Sequence, residues 1–306
     1  MELTKSVRVR KVKKFSMEKR KVRAGMLFVS PWILGLLIFY AYPLLASVYY
    51  SFTSYSVINP GEFVGLDNYR RLLRDDLFWI SIRNTLHFTV MSVPINLIFA
   101  ICIALSLNRK ILFQGIYRTI FFIPTLVPIV ATATVWRWLM NTHFGLINSM
   151  LAAVNISPVP WLASPQWTRP SMAIISAWGV GTAVVVNLAG LQGVSTEYYE
   201  AAEVDGANAF QKIFHITLPL LTPVIFYNLV MGMIGALQVF TLPFTLTFGD
   251  GSPVNSLTFY VMHIYNNAFG FMRMGYASAM AWILFLIILV LTVIVFRTSK
   301  RWVHYS

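Results

Sequence analysis

An all-α, polytopic membrane protein with six transmembrane helices is the fold class that the sequence predicts, and two observations lead to it. Apolar residues make up 57% of the 306 residues and charged residues only 11%, which is too little charge for a water-soluble surface of this size. Six apolar runs also reach the roughly 20 residues that a helix needs to cross a bilayer. We expect helices because the runs are too long for barrel strands.

The six apolar runs divide the chain into an arm, a membrane domain and a tail. The runs are residues 26–50, 84–107, 118–140, 171–193, 218–243 and 277–296. The arm is 1–25, the membrane domain is 26–296 and the tail is 297–306. The first run is longer than the apolar core of a signal peptide and five more follow, so we interpret it as an uncleaved anchor.

Positive charges predict how the spans are oriented. Ten of the 24 Lys and Arg residues precede Met26, and seven more fall on the same side of the expected membrane. Those seven are Arg109, Lys110, Arg118, Lys212, Arg297, Lys300 and Arg301. The side richer in Lys and Arg is expected to be cytoplasmic, together with both termini. The basic arm is expected to be solvated near the anionic headgroups of the lipid bilayer, and no nucleic-acid partner is predicted.

The expected spans contain no carboxylate side chain. None of the 11 Asp and Glu residues lies in a run, whereas ion-coupled carriers commonly use intramembrane carboxylates as relays. Sodium coupling through carbonyl and hydroxyl oxygens stays open. The five His residues form no closely spaced metal-ligand pair, Cys102 is the only cysteine, and there is no glycine-rich phosphate loop. We predict no catalytic residue, no metal site and no cofactor bound by this chain.

Between the first two runs, an apolar face predicts one helix that lies along the outer membrane surface or against the other spans. Its apolar positions are Leu66, Tyr69, Leu72, Leu73, Leu77 and Ile80.

The polar loop at 195–217 carries four of the 11 acidic residues, on the side where positive charge is otherwise preferred. They are Glu197, Glu200, Glu203 and Asp205. We expect a helix at 196–204, a turn at Gly206 and a second helix at 208–215. Phe210, Ile213 and Phe214 add an apolar edge. Residue types alone leave two interpretations equal: docking into a partner, or packing of this edge against the protein itself.

Residues of this loop resemble the EAA signature of permease subunits in ATP-binding-cassette importers. The matching residues are Glu200-Ala201-Ala202, Gly206-Ala207, Phe210, Ile213, Ile216, Leu218, Pro219 and Pro223. The chain is also similar to the carbohydrate branch of that family, which includes the larger maltose-permease subunit. That likeness rests on Pro31-Trp32, Tyr42-Pro43, Gly65-Leu66-Asp67-Asn68-Tyr69 and Trp178. The chain departs from it at residues 249–253, where relatives tend to have Gly-Gly-Pro, and it lacks the large extracellular insertion of the maltose protein.

The resemblance implies a type I importer permease of MetI-like fold in a bacterial cell (inner) membrane, working by alternating access. Its loop would be the coupling helix that inserts into a groove of a separate ATPase. The implied coupling residues are Glu200, Ala201, Ala202, Asp205, Gly206, Ala207 and Phe210. Expected partners are a second homologous permease subunit, two ATP-binding-cassette ATPases that bind ATP and Mg, an extracellular or periplasmic solute-binding protein, and a carbohydrate substrate.

Two helix faces are candidates for the sugar path. In the fourth and fifth runs, small and amide residues recur at spacings of three and four, which places each set on one helix face. The candidates are Ser176, Gly179, Ala183, Asn187, Asn228, Gly232, Gly235 and Gln238. An amide can bind a neutral sugar hydroxyl without burying charge. Close helix packing is the alternative explanation for the glycines, and interhelical hydrogen bonding is the alternative for the amides.

The sequence leaves two other functions open. An ion-coupled secondary sugar carrier would need no ATPase, and a non-transporting membrane scaffold subunit would bind a cytoplasmic partner through the same loop.

Overall fold

The computed structural model describes residues 14–109 and 112–304, and these residues are mostly helical. They form two units, divided between Tyr50 and Ser51. The first 13 residues of the basic arm (residues 1–25) lie outside the described residues, and so does Lys110.

The amino-terminal unit is one long helical segment. It consists of α1 (Lys14–Leu36), a π-helical turn (Leu37–Ala41) and α2 (Tyr42–Ser51). Residues Lys19–Ser51 are long and apolar enough to cross a membrane. Large apolar side chains along it are exposed, Phe28 at 88%, as expected where lipid or another protein replaces water as the surrounding medium.

The second unit holds the remaining helices. They are α3 (Asp67–Leu73), α4 (Asp76–Leu107), α5 (Gln114–Leu126), α6 (Ile129–Leu139), α7 (Leu146–Ala153), α8 (Pro165–Trp178), α9 (Gly181–Gln192), α10 (Thr196–Val204), α11 (Ala209–Lys212), α12 (Leu218–Leu237), α13 (Thr241–Thr247), α14 (Tyr260–Tyr265) and α15 (Met274–Ser299). Helix α4 packs against α8, α9 and α12 and is the centre of the unit.

Four described helical segments can each cross a membrane, and the number rises to six when each of two bent pairs counts as one span. The first, second and sixth apolar runs lie within single helical segments, as predicted. The expectation of one helix for each of the third and fourth runs needs correction. The chain bends by 99° between α5 and α6 and by 51° between α8 and α9.

The break between α5 and α6 has a local cause. Val127 precedes Pro128 and adopts an extended backbone with ψ 128°, because the proline ring clashes with a helical residue before it. The fifth run also ends earlier than predicted: α12 stops at Leu237, and α13 begins only at Thr241.

The single helix predicted over residues 66–80 is two helices instead. Helix α3 ends at Leu73, and Asp75 starts α4 as its N-cap, with its carboxylate accepting a hydrogen bond from the Leu77 backbone N–H at 2.9 Å. Capping by Asp satisfies an N–H that the first helical turn leaves free. The apolar face is divided accordingly: Leu72 is fully buried and Leu73 is 62% exposed.

Apolar packing near the carboxy-terminal end of α4 joins three helices. Ala104 of α4, Leu188 of α9 and Leu221 of α12 belong to one buried cluster. Gly190 allows α9 and α12 to approach closely, since a methyl group there would lie 2.7 Å from Cγ2 of Val224.

A second contact fixes the other end of the unit. The Asn84 amide in α4 donates to the carbonyls of Asn255 and Thr258 at 2.8 and 3.0 Å. Its oxygen accepts from Nη2 of Arg169 in α8 at 3.1 Å. The loop that departs from the Gly-Gly-Pro pattern is thereby held against the helices.

Candidate functional site

The polar loop folds as a helical hairpin, which we call the 195–217 hairpin. Its first arm is α10, and the predicted bounds of 196–204 are those observed. The arm ends in a Schellman motif: the Ala207 N–H donates to the Ala202 carbonyl at 2.9 Å, and the Gly206 N–H donates to the Glu203 carbonyl at 3.1 Å. Gly206 has φ +77°, a conformation that glycine adopts without the strain of a side chain.

The second arm starts with a capping box. Asn208 Oδ1 accepts from the Gln211 N–H at 2.9 Å, and Gln211 Oε1 accepts from the Asn208 N–H at 2.7 Å. An ion pair of 2.6 Å between Lys212 Nζ and Glu203 Oε1 joins the two arms. The hydrogen bond and charge of Lys212 hold the pKa of Glu203 below its ordinary value.

The second arm does not stop at 215 as predicted. Helix α11 passes through a π-helical turn (Ile213–Thr217) directly into α12. At that junction Thr217 is buried, its hydroxyl lying 3.1 Å from the Tyr199 hydroxyl of the first arm. The hairpin is thus joined to a span by continuous helix and tied to it by a buried contact.

The tip of the hairpin is exposed. Val204 is 89% exposed, Phe210 75% and Phe214 62%, so most of the apolar edge is not packed against the protein. Among the predicted coupling residues, Glu200, Ala201, Asp205, Gly206 and Phe210 are exposed, and Ala202 and Ala207 are half-buried. Exposed aromatic side chains beside small residues are typical of a surface that another protein covers.

A cavity of about 820 Å³ lies among the helices of the second unit. It is bounded by α4, by the bends between α5 and α6 and between α8 and α9, and by α12 with the chain that follows it. None of its lining residues is charged. The two bends that sequence periodicity did not predict are therefore parts of the cavity wall.

Six of the eight predicted path residues line this cavity. They are Ser176, Gly179, Ala183, Asn228, Gly232 and Gly235. The other two do not. Asn187 is fully buried, with Nδ2 donating to the Ala183 carbonyl at 2.9 Å, and Gln238 is an exposed residue at the end of α12.

The cavity glycines are not positions of tight helix packing. A methyl group at Gly235 would meet nothing within 4 Å, and one at Gly232 would lie 3.7 Å from Val93, an ordinary contact. Gly190, outside the cavity, shows the much closer approach described above. For Gly232 and Gly235, room in the cavity accounts for the small residue better than packing does.

Hydrogen-bonding groups face the cavity from more helices than the sequence indicated. Asn96 Nδ2 of α4 lies 3.2 Å from Ser176 Oγ of α8. Asn228 Nδ2 is buried and has no hydrogen-bond partner among the described residues. Sequence reasoning missed Ser92 and Asn96, although their spacing of four along one helix was a signal of the kind used for the other two spans.

The fold and its site define a class: a helical membrane protein with an uncharged cavity and an exposed hairpin continuous with one wall of that cavity. Residues 92–304 match the family of binding-protein-dependent transport system inner membrane components. The chain belongs to this family, and the family and fold that the sequence resemblance predicted are confirmed.

Similar proteins cover nearly the whole chain. YesP of Bacillus subtilis (strain 168), a probable ABC transporter permease protein, is 40% identical over 286 residues, 92% of each chain. LacF of Rhizobium radiobacter, a lactose transport system permease protein, is 33% identical over 90% of this chain and 94% of its own. A solved chain of a bacterial ABC transporter involved in the import of the acidic polysaccharide alginate matches with a TM-score of 0.81 at 26% identity, over 94% of this chain and 99% of that one.

Proposed function

We propose that this chain is the permease subunit of an ATP-driven importer that moves a carbohydrate of oligosaccharide size into the cell by alternating access. The observation that carries the proposal is the continuous helix from Ala209 to Leu237, which links the exposed hairpin to the cavity wall. Displacement of one end of such a helix displaces the other, so a force applied at the hairpin reaches the residues that contact the solute.

The cavity chemistry supports a neutral, hydroxyl-rich solute. Its volume is within the range of sites for organic ligands, roughly 300–1,000 Å³, and its polar groups are hydroxyls and amides. Asn228 lines the cavity, and its buried Nδ2 has no hydrogen-bond partner among the described residues. Rotation of this side chain would turn the donor toward a sugar oxygen. Ser176, Gly179, Ala183, Gly232 and Gly235 form the rest of the proposed path. LacF is named as a permease of a lactose transport system, and lactose is also a neutral sugar.

The 195–217 hairpin is the proposed coupling site. Glu200 at the exposed face of α10 and the Gly206 turn would enter a groove of an ATP-binding-cassette ATPase, with Phe210 as an apolar contact. Two such ATPases, a second homologous permease and a solute-binding protein complete the proposed complex. ATP and Mg would be bound by the ATPases, and this chain would be a non-catalytic subunit.

The proposed orientation places the hairpin and both termini in the cytoplasm. The positive-charge distribution of the sequence supports it. So does the position of the carboxy-terminal end of α15, where the His304 N–H donates to Thr222 Oγ1 of α12 at 2.9 Å, beside the root of the hairpin. Residues 1–25 are the proposed cytoplasmic arm, 26–296 the permease domain and 297–306 the cytoplasmic tail.

Reconstitution of the complete complex in proteoliposomes tests this function. The complex contains this chain, the second permease and the ATPases, with the binding protein supplied together with labelled sugar. We expect sugar uptake that requires ATP on the cytoplasmic side of the permease. This uptake should continue after ionophores collapse the proton and sodium gradients.

Two results would contradict the proposal. Sugar uptake without ATP that stops when an ion gradient is collapsed would identify an ion-coupled carrier. ATPase subunits that bind the hairpin while no screened sugar crosses the membrane would identify a scaffold subunit.

A further inference from the structure

A second pocket lies where α4 and α15 begin, and we call it the arginine pocket. It has a volume of about 760 Å³. Four guanidinium groups line it: those of Arg70, Arg71 and Arg74 in and just after α3, and that of Arg273 just before α15. The other end of α15 lies beside the root of the 195–217 hairpin, so this pocket is at the opposite membrane surface from the hairpin.

The arginine pocket carries an excess of positive charge. Its acidic residues are Asp67 and Asp75, which gives four guanidinium groups against two carboxylates. Asp75 is occupied by other donors, since its Oδ2 accepts from the Tyr276 hydroxyl at 2.7 Å and its Oδ1 from the Leu77 N–H. Within the described part of the chain, no carboxylate lies within ion-pair distance of any of the four arginines.

His263 does not add to this charge at neutral pH. Burial lowers the pKa of its imidazole, and the nearby Asp75 only partly opposes that effect. The excess charge of the pocket therefore belongs to the arginines.

Two of the guanidinium groups are positioned by aromatic rings. The Cζ atom of Arg71 lies 5.6 Å from the ring centre of Tyr276, and that of Arg273 lies 5.4 Å from the ring centre of Phe271. A guanidinium that lies over a ring face can still donate its N–H groups to an acceptor. The pocket thus presents several N–H donors to an anion.

We place the arginine pocket at the depth of the lipid headgroups. Trp79 is 51% exposed on the first turn of α4, with its indole N–H donating to the Leu73 carbonyl at 3.1 Å. Exposed Trp marks the membrane interface. At about 1.5 Å of rise per helical residue, the pocket around Asp75 is about 6 Å outward from it. Exposed apolar side chains border the pocket, with Leu73 and Phe271 each 62% exposed.

We propose that the arginine pocket binds the phosphodiester of a membrane phospholipid. Guanidinium groups form strong paired hydrogen bonds with phosphate oxygens, and the exposed apolar border suits the glycerol and acyl portions of the same molecule. An acidic protein surface would match the charge but would gain less from the apolar border. The proposal depends on the membrane location of the chain and is independent of the transported solute.

Lipid retention by the purified complex tests this proposal. The complex is prepared from nanodiscs containing equal parts of phosphatidylglycerol and a neutral diglucosyl lipid, and bound lipids are counted by native mass spectrometry. We compare wild type with the double variant Arg71→Gln and Arg74→Gln. The control is Arg83→Gln, an exposed arginine of α4 outside the pocket. We expect the double variant to retain about tenfold less phosphatidylglycerol, with the neutral lipid and the control unchanged.

Each alternative outcome would overturn the proposal. Equal phosphatidylglycerol retention by wild type and the double variant would exclude the pocket as its site. Equal loss of both lipids would indicate damaged folding, and the charge-conserving Arg71→Lys and Arg74→Lys variant is then measured. We expect that variant to recover part of the phosphatidylglycerol retention, because Lys keeps the charge but not the paired hydrogen bonds, and no recovery would overturn the proposal. Displacement of phosphatidylglycerol by millimolar inorganic phosphate would identify a site for the free ion. Unchanged lipid retention with loss of binding-protein-stimulated ATP hydrolysis would identify a protein contact.

Discussion

Asn228 combines two properties that no other predicted path residue has. It lines the cavity, and its Nδ2 is buried without a hydrogen-bond partner among the described residues. A buried donor without a partner costs free energy in the empty protein. A bound solute that accepts this hydrogen bond removes that cost, so the residue favours the occupied state.

Replacement of Asn228 is expected to weaken sugar binding. Asn228→Leu keeps the side-chain size and removes the donor, which lowers apparent affinity in the uptake assay by about three- to tenfold for one neutral hydrogen bond. Gln238→Leu is the matched control because Gln238 lies outside the cavity. Equal loss in the two variants would contradict this role for Asn228.

The Glu203 and Lys212 pair predicts a pH effect on the hairpin. Lys212 lowers the pKa of Glu203, so the pair stabilises the hairpin above the ordinary pKa of 4.5 and loses that contribution as pH falls through the lowered value. In Lys212→Gln, the Glu203 pKa is expected to rise toward its ordinary value. NMR titration of the labelled carboxyl group measures it, and an unchanged pKa would contradict the proposed cause.

At the residue scale, a shared helix face predicted which side chains line the cavity only in part. Ser176, Gly179 and Ala183 line it although the chain bends by 51° between α8 and α9. Asn187 is one turn beyond Ala183 in the same helix α9 but is fully buried, and the last residue of α9 that lines the cavity is Val186. Periodicity gives the face of a helix but not how far along the helix a cavity extends. Gln238 was predicted wrongly because α12 has already ended at Leu237.

At the scale of elements, the 195–217 hairpin was predicted well because its signals are local. The turn at Gly206 and the helix before it follow from neighbouring residues, and the caps at Ser195 and Asn208 that the structure adds are local as well. The bends in the third and fourth spans were not predicted, since their proline and glycine residues also occur in unbroken membrane helices. Pro94 lies within the unbroken α4, and only packing distinguishes the two cases.

The Gly206 turn is expected to control the fit of the hairpin to its ATPase. Gly206→Ala places a side chain at φ +77°, at a cost of about 1–2 kcal/mol, and should weaken ATPase binding by about tenfold. Gly206→Pro should weaken it further, because proline cannot adopt this φ and lacks the N–H that donates to Glu203.

Surface plasmon resonance with nanodisc-embedded permease and soluble ATPase measures this effect. Gly115→Ala is the control, since Gly115 lies in α5 and a methyl group there meets nothing within 4 Å. Unchanged ATPase affinity in both Gly206 variants would rule out a requirement for this turn.

At the scale of the whole molecule, three parts act together in the proposed function: an exposed hairpin, a cavity and a continuous helix between them. The proposed topology puts the hairpin in the cytoplasm. It also puts the loop between α2 and α3, in which Ile58 is 82% exposed, on the outer side.

Cysteine labelling tests that topology. In a Cys102→Ala background without other cysteines, we expect Ile58→Cys to react with a membrane-impermeant maleimide in intact cells. Val204→Cys should react only after permeabilisation, because the hairpin is then on the inner face. Labelling of Val204→Cys in intact cells would show that the orientation is the opposite one, with the hairpin on the side of the membrane where no ATPase can bind it.

The central claim, that the hairpin transmits the energy of ATP to the cavity, is tested most directly by charge reversal at Glu200. In the reconstituted complex, ATP-dependent sugar uptake is measured for wild type, Glu200→Lys and the matched control Glu197→Lys, an exposed acidic residue one turn earlier. We predict that Glu200→Lys lowers the rate of ATP-dependent sugar uptake by at least about tenfold while the ATPases still hydrolyse ATP. Glu197→Lys is predicted to keep most of the wild-type uptake rate. Normal ATP-driven uptake by Glu200→Lys would contradict the account.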